Sequence, residues 1–253
     1  MPLISTPAIV LSTLRYGETS KIVRLATREH GVQSAIAKGA LRPRSRFGAA
    51  LQALSGGQAQ IILSERRDLH TLTAFDVATL PVRLARDVSR YATAAALAEL
   101  MLRVAPPEPH PEAFDALAEA LARLEVAGAD DLPGMAVRSV WAQVAALGFA
   151  PSLASCVRDG RSLEPDGPLA FSAGEGGALC RLCSRHGDVT ELPADARDAL
   201  SALLDPDRPL PSLDARHGAA HRRLVARYIR YHLAEGAPLP ALEFWLTQAW
   251  GGR

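Results

Sequence analysis

Cysteine is scarce in this chain, with three in 253 residues. A sparse, odd set builds no disulfide framework and fits a reducing compartment. Lysine is scarcer still: Lys21 and Lys38 stand against 26 arginines. With many alanines, that is the mark of a GC-rich coding sequence, so arginine alone does not signal function. No apolar run approaches the roughly 18 residues of a membrane helix. Met1–Ser20 lacks a basic start, and its short apolar stretch Ala8–Leu11 soon meets Arg15 and Glu18, so it does not read as a signal peptide. These absences predict a cytoplasmic protein. Chemistry motifs are missing too. There is no Walker-type phosphate loop, no strand–GxGxxG–helix unit, no H-E-x-x-H and no G-x-S-x-G. No acidic cluster offers two-metal nuclease chemistry. The pair His217/His221 is spaced i,i+4, but no carboxylate at a matching offset supports a metal, and it reads as a solvated helix pair.

Residues 1–80 read as β. Alternating or β-rich runs occur at Ala8–Arg15, Lys21–Thr27, Val32–Lys38, Gln58–Glu65 and Leu69–Asp76. Breaks fall at Tyr16-Gly17-Glu18, Glu29-His30-Gly31, Gly39–Ala50 and Arg66-Arg67-Asp68. Gly31 and the pair Gly56-Gly57 supply positions where positive φ is cheap. Five short strands with one long connection after the third suit a small Greek-key barrel such as the OB-fold. A two-sheet sandwich is the alternative, but eighty residues is short for it.

Residues 81–148 read as a helical bundle. Leu84, Val88, Tyr91, Ala95, Ala98 and Leu102 step by four and three, which predicts one apolar stripe on a helix with Pro81 in its first turn. Pro106-Pro107 and Pro109 end it. A second helix carries Phe114, Leu117, Leu121 and Leu124. A third carries Val137, Val140, Val144 and Leu147, with Asp130-Asp131 and Pro133 at its start and Gly148 past its end. Residues 149–190 are Gly-rich and hold all three cysteines. Residues 191–253 return to helix, strongest from about Ala219 to Glu235, with Gly251-Gly252 in a loose end.

The balanced total, +1, hides an asymmetry. Residues 1–80 carry ten Arg/Lys and five Asp/Glu, net +5, and the remainder is net −4. From Thr19 to Ser64 the basic residues are Lys21, Arg24, Arg28, Lys38, Arg42, Arg44 and Arg46, against one acid, Glu29. Segment Lys38–Gly48 has four cations, no acid, two glycines and Phe47. Such a loop can lie along a phosphate backbone, its cations releasing counterions and Phe47 stacking on a base. Alternatively Phe47 tucks into the barrel mouth. Arg223, Arg227 and Arg230 share a helix face, with Arg222 and Arg216 nearby. That row can hold an acidic peptide tail or phosphate, or form an ordinary solvated face; Leu224, Tyr228 and Tyr231 beside it are expected in the core.

Cys180-x-x-Cys183 is half of a zinc knuckle, and Cys156 lies upstream. Where a four-cysteine site would place its remaining thiolate, this chain has Asp159. His186 is the alternative fourth ligand. Zn²⁺ here would play a structural part, stitching together a stretch too polar for its own core; otherwise the cysteines are packing thiols.

Taken together, Tyr16-Gly17-Glu18, Lys21-Ile22-Val23, Thr27-Arg28-Glu29-His30-Gly31, Ala37-Lys38-Gly39-Ala40, Ser45-Arg46-Phe47-Gly48 and Leu51-Gln52 resemble the opening pattern of the bacterial RecO family of recombination mediators. The stretch Cys156…Gly176-Gly177…Cys180-x-x-Cys183 and the closing helix His221–Leu233 agree. Asp159 departs from the family's four-cysteine pattern. The resemblance implies an α+β multidomain chain: an N-terminal five-stranded OB-fold barrel (1–80), a helical bundle (81–148), an embedded zinc-ribbon-like module (149–190) and C-terminal helices packing on the bundle (191–253). It also implies a non-enzymatic, nucleoid-associated DNA-repair protein. Such a protein binds single- and double-stranded DNA, anneals complementary strands, binds RecR and the acidic tail of single-stranded DNA-binding protein, and helps load RecA. The rivals are a zinc-dependent enzyme acting on nucleic acid and a pure protein-interaction module.

Overall fold

The computed structural model describes residues 2–48, 50–64, 68–105, 108–234 and 236–248. The expected turn at Arg66-Arg67, the helix stop at Pro106-Pro107, the helix end at Glu235 and the terminal Gly251-Gly252 lie outside the described residues. The chain divides into two compact units, Met1–Glu125 and Val126–Arg253.

In the first unit, five strands close into a barrel: β1 (Leu3–Tyr16), β2 (Ser20–Thr27), β3 (Gly31–Ala37), β4 (Gly56–Ile62) and β5 (Leu69–Thr79). Their order is β1-β2-β3-β5-β4, with β4 returning to β1, which is the OB-fold. Only β3 and β5 pair in parallel. Closure leaves one interior, so the sandwich alternative is excluded. Val10, Val23, Leu25, Ile61, Leu72 and Phe75 fill it, as the alternation along β2 predicts.

A bulge between Val10 and Ser12 reverses the facing of β1. Beyond it, Thr13 and Arg15 pair with the inward-facing Val23 and Lys21, which leaves Ser12, Leu14 and Tyr16 on the outer face. Gly31 has the expected positive φ, +65°. Gly56 and Gly57 do not, which corrects the expectation. They are needed for close approach instead: a Cβ on Gly57 would lie 2.2 Å from the Asp76 carbonyl oxygen, at the bulge where β4 meets β5.

A 3-10 turn (Leu84–Arg86), α1 (Val88–Val104) and α2 (Pro111–Val126) follow. The stripe expected from Leu84 to Leu102 is broken. Asp87 adopts extended backbone and caps α1, its side chain accepting from the Arg90 amide at 3.0 Å. The helical register therefore restarts at Val88, and Pro81 lies outside the helix. Val88 and Tyr91 are 60% and 44% exposed, while Ala94, Leu97, Leu100 and Met101 are buried. The Glu125 carboxylate of α2 accepts from the amides of Arg83 (2.6 Å) and Leu84 (3.0 Å), satisfying donors at the start of the 3-10 turn. On α2 the expected Phe114, Leu117, Leu121 and Leu124 are all buried.

The second unit holds α3 (Leu132–Ala146), a three-stranded sheet of β6 (Leu169–Ser172), β7 (Gly177–Leu179) and β8 (Thr190–Leu192), then α4 (Ala194–Leu204), α5 (Ala215–His232) and α6 (Pro240–Thr247). The sheet order is β7-β6-β8. Helix α3 packs on α4 and α5, and α5 on α6. Val137, Val140 and Val144 are buried as expected, and Gly148 past the helix end has φ +93°. Trp141 meets Tyr228 edge-on at 5.2 Å, and Phe171 of the small sheet lies 6.2 Å from the same ring. Tyr231 is 56% exposed and is not a core residue. Its ring lies over Gly174, 3.5 Å from where a Cβ on that glycine would stand. No helix among the described residues is long and apolar enough to cross a membrane.

Candidate metal centre and candidate nucleic-acid interface

The cysteine region folds around two tight turns. In the first, the Gly160 amide donates to the Cys156 carbonyl (2.9 Å) and the Cys156 amide to that of Arg161 (2.8 Å). Gly160 takes φ +73°, so the chain reverses immediately after Asp159. The second turn leaves β7 through Cys180 and enters a 3-10 turn at Cys183, the Ser184 amide donating to the Cys180 carbonyl at 2.9 Å. Gly177 brings the two turns together. It bridges to Ser152, and a Cβ there would lie 2.3 Å from the Ser152 carbonyl oxygen. Cys156, Ala170, Leu179 and Cys180 form a small buried cluster of their own.

The ligand atoms of Cys156, Asp159, Cys180 and Cys183 all lie within 4.8 Å of one another. Asp159 divides its carboxylate. Oδ1 accepts from the Arg161 amide at 3.1 Å, while Oδ2 faces the sulfurs of Cys180 (3.4 Å) and Cys183 (3.5 Å). One oxygen is thus anchored and the other aimed into the cluster. Bonds from the Cys156 thiol and the Arg161 amide hold the Asp159 carboxyl down at about 2. Burial, reinforced by the Cys180 sulfur, pushes Cys183 up to about 12, whereas the Cys183 amide draws Cys180 down.

These four residues fit a metal ion. Zinc takes four N, S or O donors tetrahedrally, and Zn–S bonds of about 2.3 Å place sulfurs about 3.8 Å apart. The observed spread needs only a small contraction. His186 is exposed and stands outside the group, so geometry favours Asp159 as fourth ligand.

Arg158 braces the same site. Its guanidinium pairs with Glu175 (Nε to Oε2, 2.8 Å), donates to the Cys183 carbonyl (2.7 Å) and reaches the His186 carbonyl (3.1 Å). One side chain thereby links the Cys156 turn, the β6–β7 hairpin and the Cys183 turn.

The structure spreads the seven expected phosphate-binding cations unevenly. Lys38, Arg42, Arg44 and Arg46 are exposed on the loop between β3 and β4. None of them forms an ion pair among the described residues. The loop is tied down rather than dangling: the Leu41 amide donates to the Thr19 carbonyl at 2.8 Å, beside the β1–β2 turn. Phe47 is 2% exposed and packs in the barrel interior, with the Arg46 guanidinium 5.2 Å from its ring centre. It anchors the loop and is not available to stack on a base.

Lys21 reaches the Leu51 carbonyl at 3.2 Å, at the same end of the barrel. Arg24 stands on the outer face of β2 between Ser12 and Ser34. Arg28 lies seven residues from Lys21, roughly 23 Å along the strand. It is held by Asp115 of α2 through two bonds of 2.8 and 2.9 Å, which raise Arg28 and lower Asp115.

The arginine row on α5 lines an open groove of about 560 Å³ with Thr190, Leu224 and Leu246. Two of its members have acidic partners within the chain, Arg227 with Asp188 and Arg230 with Glu243 (2.6 Å). Arg223 is exposed without an ion pair among the described residues.

Sequence reasoning did not reveal the buried arginines. Arg90 donates to the Leu124 carbonyl, Arg138 to those of Ala202, Arg208 and Pro209 (2.8 to 3.0 Å), and Arg222 to those of Trp245 (3.1 Å) and Gln248 (2.8 Å). Arg197 does the same for Glu164, Asp166 and Gly167. Leu124, Ala202 and Trp245 lie in the last turns of α2, α4 and α6, where helix carbonyls lack partners, and a guanidinium fork supplies the donors. Burial pulls Arg222 down to about 10. His221 is also buried, with Nδ1 unpartnered among the described residues, and burial lowers it to about 4. It is not half of a solvated pair. A helix face is assigned by what packs on it, and the i,i+4 spacing of His217 and His221 says nothing of that.

Residues 1–80 match the family model for the Recombination protein O N-terminal domain, and residues 85–242 match that for the C-terminal domain. The chain is 36% identical to the DNA repair protein RecO of Anaeromyxobacter dehalogenans over 81% of its length and 79% of the relative's. It is 34% identical to that of Nocardioides sp. over 90% of its length and 94% of the relative's, and 34% identical to that of Symbiobacterium thermophilum over 82% of each. A closed OB barrel carrying a basic loop, a metal-competent cysteine cluster and these matches along nearly the whole length lead to one conclusion: the chain belongs to the RecO family.

Proposed function

We propose that the protein is a non-enzymatic recombination mediator in DNA repair, acting in the cytoplasm at the nucleoid. It binds single- and double-stranded DNA, anneals complementary strands and helps load RecA onto strands coated by single-stranded DNA-binding protein, in company with RecR. The observation that carries this reading is the loop from Lys38 to Gly48: four cations exposed together, without acidic partners among the described residues, pinned to the barrel by Phe47 and the Leu41–Thr19 bond. Cations so placed gain from counterion release when they meet phosphates. Annealing then needs no catalytic group, because neutralising two backbones lowers the repulsion between them. Lys21, at the same end of the barrel as the loop, and Arg24, on the outer face of β2, would add to its charge. Arg28 joins it only by giving up Asp115.

Cys156, Asp159, Cys180 and Cys183 would hold a structural zinc ion that fixes the 149–190 region. A catalytic metal needs an open coordination position. Four converging donors complete a tetrahedron, which favours the structural role over the zinc-enzyme alternative. Arg223, with Arg227 and Arg230 when these release Asp188 and Glu243, would meet an acidic partner such as the tail of single-stranded DNA-binding protein.

The test is strand binding. Arg42→Glu/Arg44→Glu/Arg46→Glu should abolish binding of labelled single strands and leave the thermal midpoint nearly unchanged, because these side chains are exposed and only Arg46 touches the core, at the Phe47 ring. Four phosphate contacts at roughly −0.7 each predict a wild-type slope of log K against log salt near about −3. A slope near zero, or normal binding by the triple variant, would overturn the assignment. Cleavage of the strands would establish an enzyme instead.

A further inference from the structure

The chain has three cysteines, and their sulfurs meet in one place. They differ in access. Cys156 and Cys180 are 1% and 6% exposed, whereas Cys183 is only half-buried, so solvent reaches the cluster from its side. They also differ in what ties them. The Cys156 thiol is bonded to the Asp159 carboxylate. Cys180 and Cys183 share one turn, closed by the Ser184 amide on the Cys180 carbonyl at 2.9 Å. Residues three apart in a tight turn have Cα atoms less than about 7 Å from one another, and a disulfide spans Cα atoms about 4.4 to 6.8 Å apart. The backbone therefore holds this pair within bonding range, with the Arg158 guanidinium fixing the turn at the Cys183 carbonyl (2.7 Å).

Asp159 changes what oxidation of that pair does. Three of the four donors are oxidisable sulfurs and the carboxylate is not. Joining Cys180 to Cys183 takes away two donors and leaves Cys156 and Asp159, short of the four that a closed site needs. A set of four thiolates would keep two sulfurs after the same event, where this one keeps a single sulfur.

We propose that Cys180 and Cys183 form a peroxide-sensitive dithiol, a modification site whose closure dismantles the four-donor cluster. Its consequence rests on the metal-centre reading; its chemistry rests on the sulfur geometry. Hydrogen peroxide is the oxidant. It converts one thiol of the pair to a sulfenic acid, breaking the O–O bond and releasing one water. The other sulfur then displaces the hydroxyl of the sulfenic acid, forming the S–S bond and a second water. Two thiols and one peroxide thus become one disulfide and two waters, the pair losing two electrons and the peroxide gaining them. An external dithiol reverses the modification by exchange.

Three cysteines allow only three pairings, so peptide mapping without reductant assigns the bond outright. Zinc-loaded protein given one molar equivalent of hydrogen peroxide should release its zinc to a chromophoric chelator. It should retain one free thiol and yield a peptide closed from Cys180 to Cys183. Dithiothreitol should restore three thiols, and added zinc should rebind. Metal-stripped Cys156→Ser protein should close the same pair. Asp159→Cys should consume a second equivalent of peroxide, its new thiol closing with Cys156. Wild-type protein that holds no zinc yet closes Cys180 to Cys183 would remove the metal reading and uphold the dithiol. Zinc-loaded protein that keeps its metal and all three thiols through a large excess of peroxide would overturn the dithiol and spare the metal centre. A wild-type disulfide that takes in Cys156 would also overturn it.

Discussion

Arginine shows how far a residue's role depends on its surroundings. Arg42 and Arg44 point into solvent without acidic partners among the described residues, whereas Arg138 and Arg222 are buried ties between helix ends and loops. The two kinds are indistinguishable in the sequence. His221 makes the same point with a measurable consequence. Its folded pKa, about 4, lies below the ordinary 6.5. Between those values the unfolded chain binds the extra proton, so folding stability is fully present above about pH 6.5 and falls as pH drops toward 4. From pH 7 to pH 5 this single group should cost about 2 kcal/mol. Denaturant titrations at the two pH values should show that loss in wild type and a smaller one in His221→Gln. An equal loss in both would mean that His221 does not titrate as the structure indicates.

At the level of elements, the cysteine region depends on turns more than on its short strands. Gly160 and Gly177 permit the reversal and the close approach that gather the four donor side chains, and Arg158 links the turns. Asp159 is already oriented by the Arg161 amide, so its replacement by a stronger zinc donor should need little rearrangement. Asp159→Cys should tighten zinc binding, measured by competition with a chromophoric chelator. Zinc affinity that is unchanged in Asp159→Ala would show that the carboxylate is not a ligand. The first helix teaches the opposite lesson. A 4,3 pattern ran from Leu84 to Leu102, yet Asp87 capped a new helix in the middle of it. A period cannot report a cap that resets its phase.

On the scale of the whole molecule, the basic barrel loop and the cysteine cluster belong to different compact units, Met1–Glu125 and Val126–Arg253. Cys180→Ser should therefore lose zinc and increase proteolysis within residues 149–190, while the salt slope for strand binding stays at its wild-type value. A slope that collapses in Cys180→Ser would show that the cysteine unit supplies phosphate contacts as well. The barrel was legible from sequence because alternation, glycine turns and strand length are local properties, and the interior positions of β2 follow from its period of two. The basic loop was legible because charge density needs no fold to be seen. The knuckle was legible because Cys-x-x-Cys spacing is itself local geometry. Tertiary structure alone decided the rest. It gathered Asp159 rather than His186 beside the three cysteines, turned Phe47 inward, paired Arg28 with Asp115, buried His221 and left Leu14 and Tyr16 open on the barrel. Each of those outcomes is set by segments distant in sequence meeting in space, and a one-dimensional pattern carries no record of which segments meet.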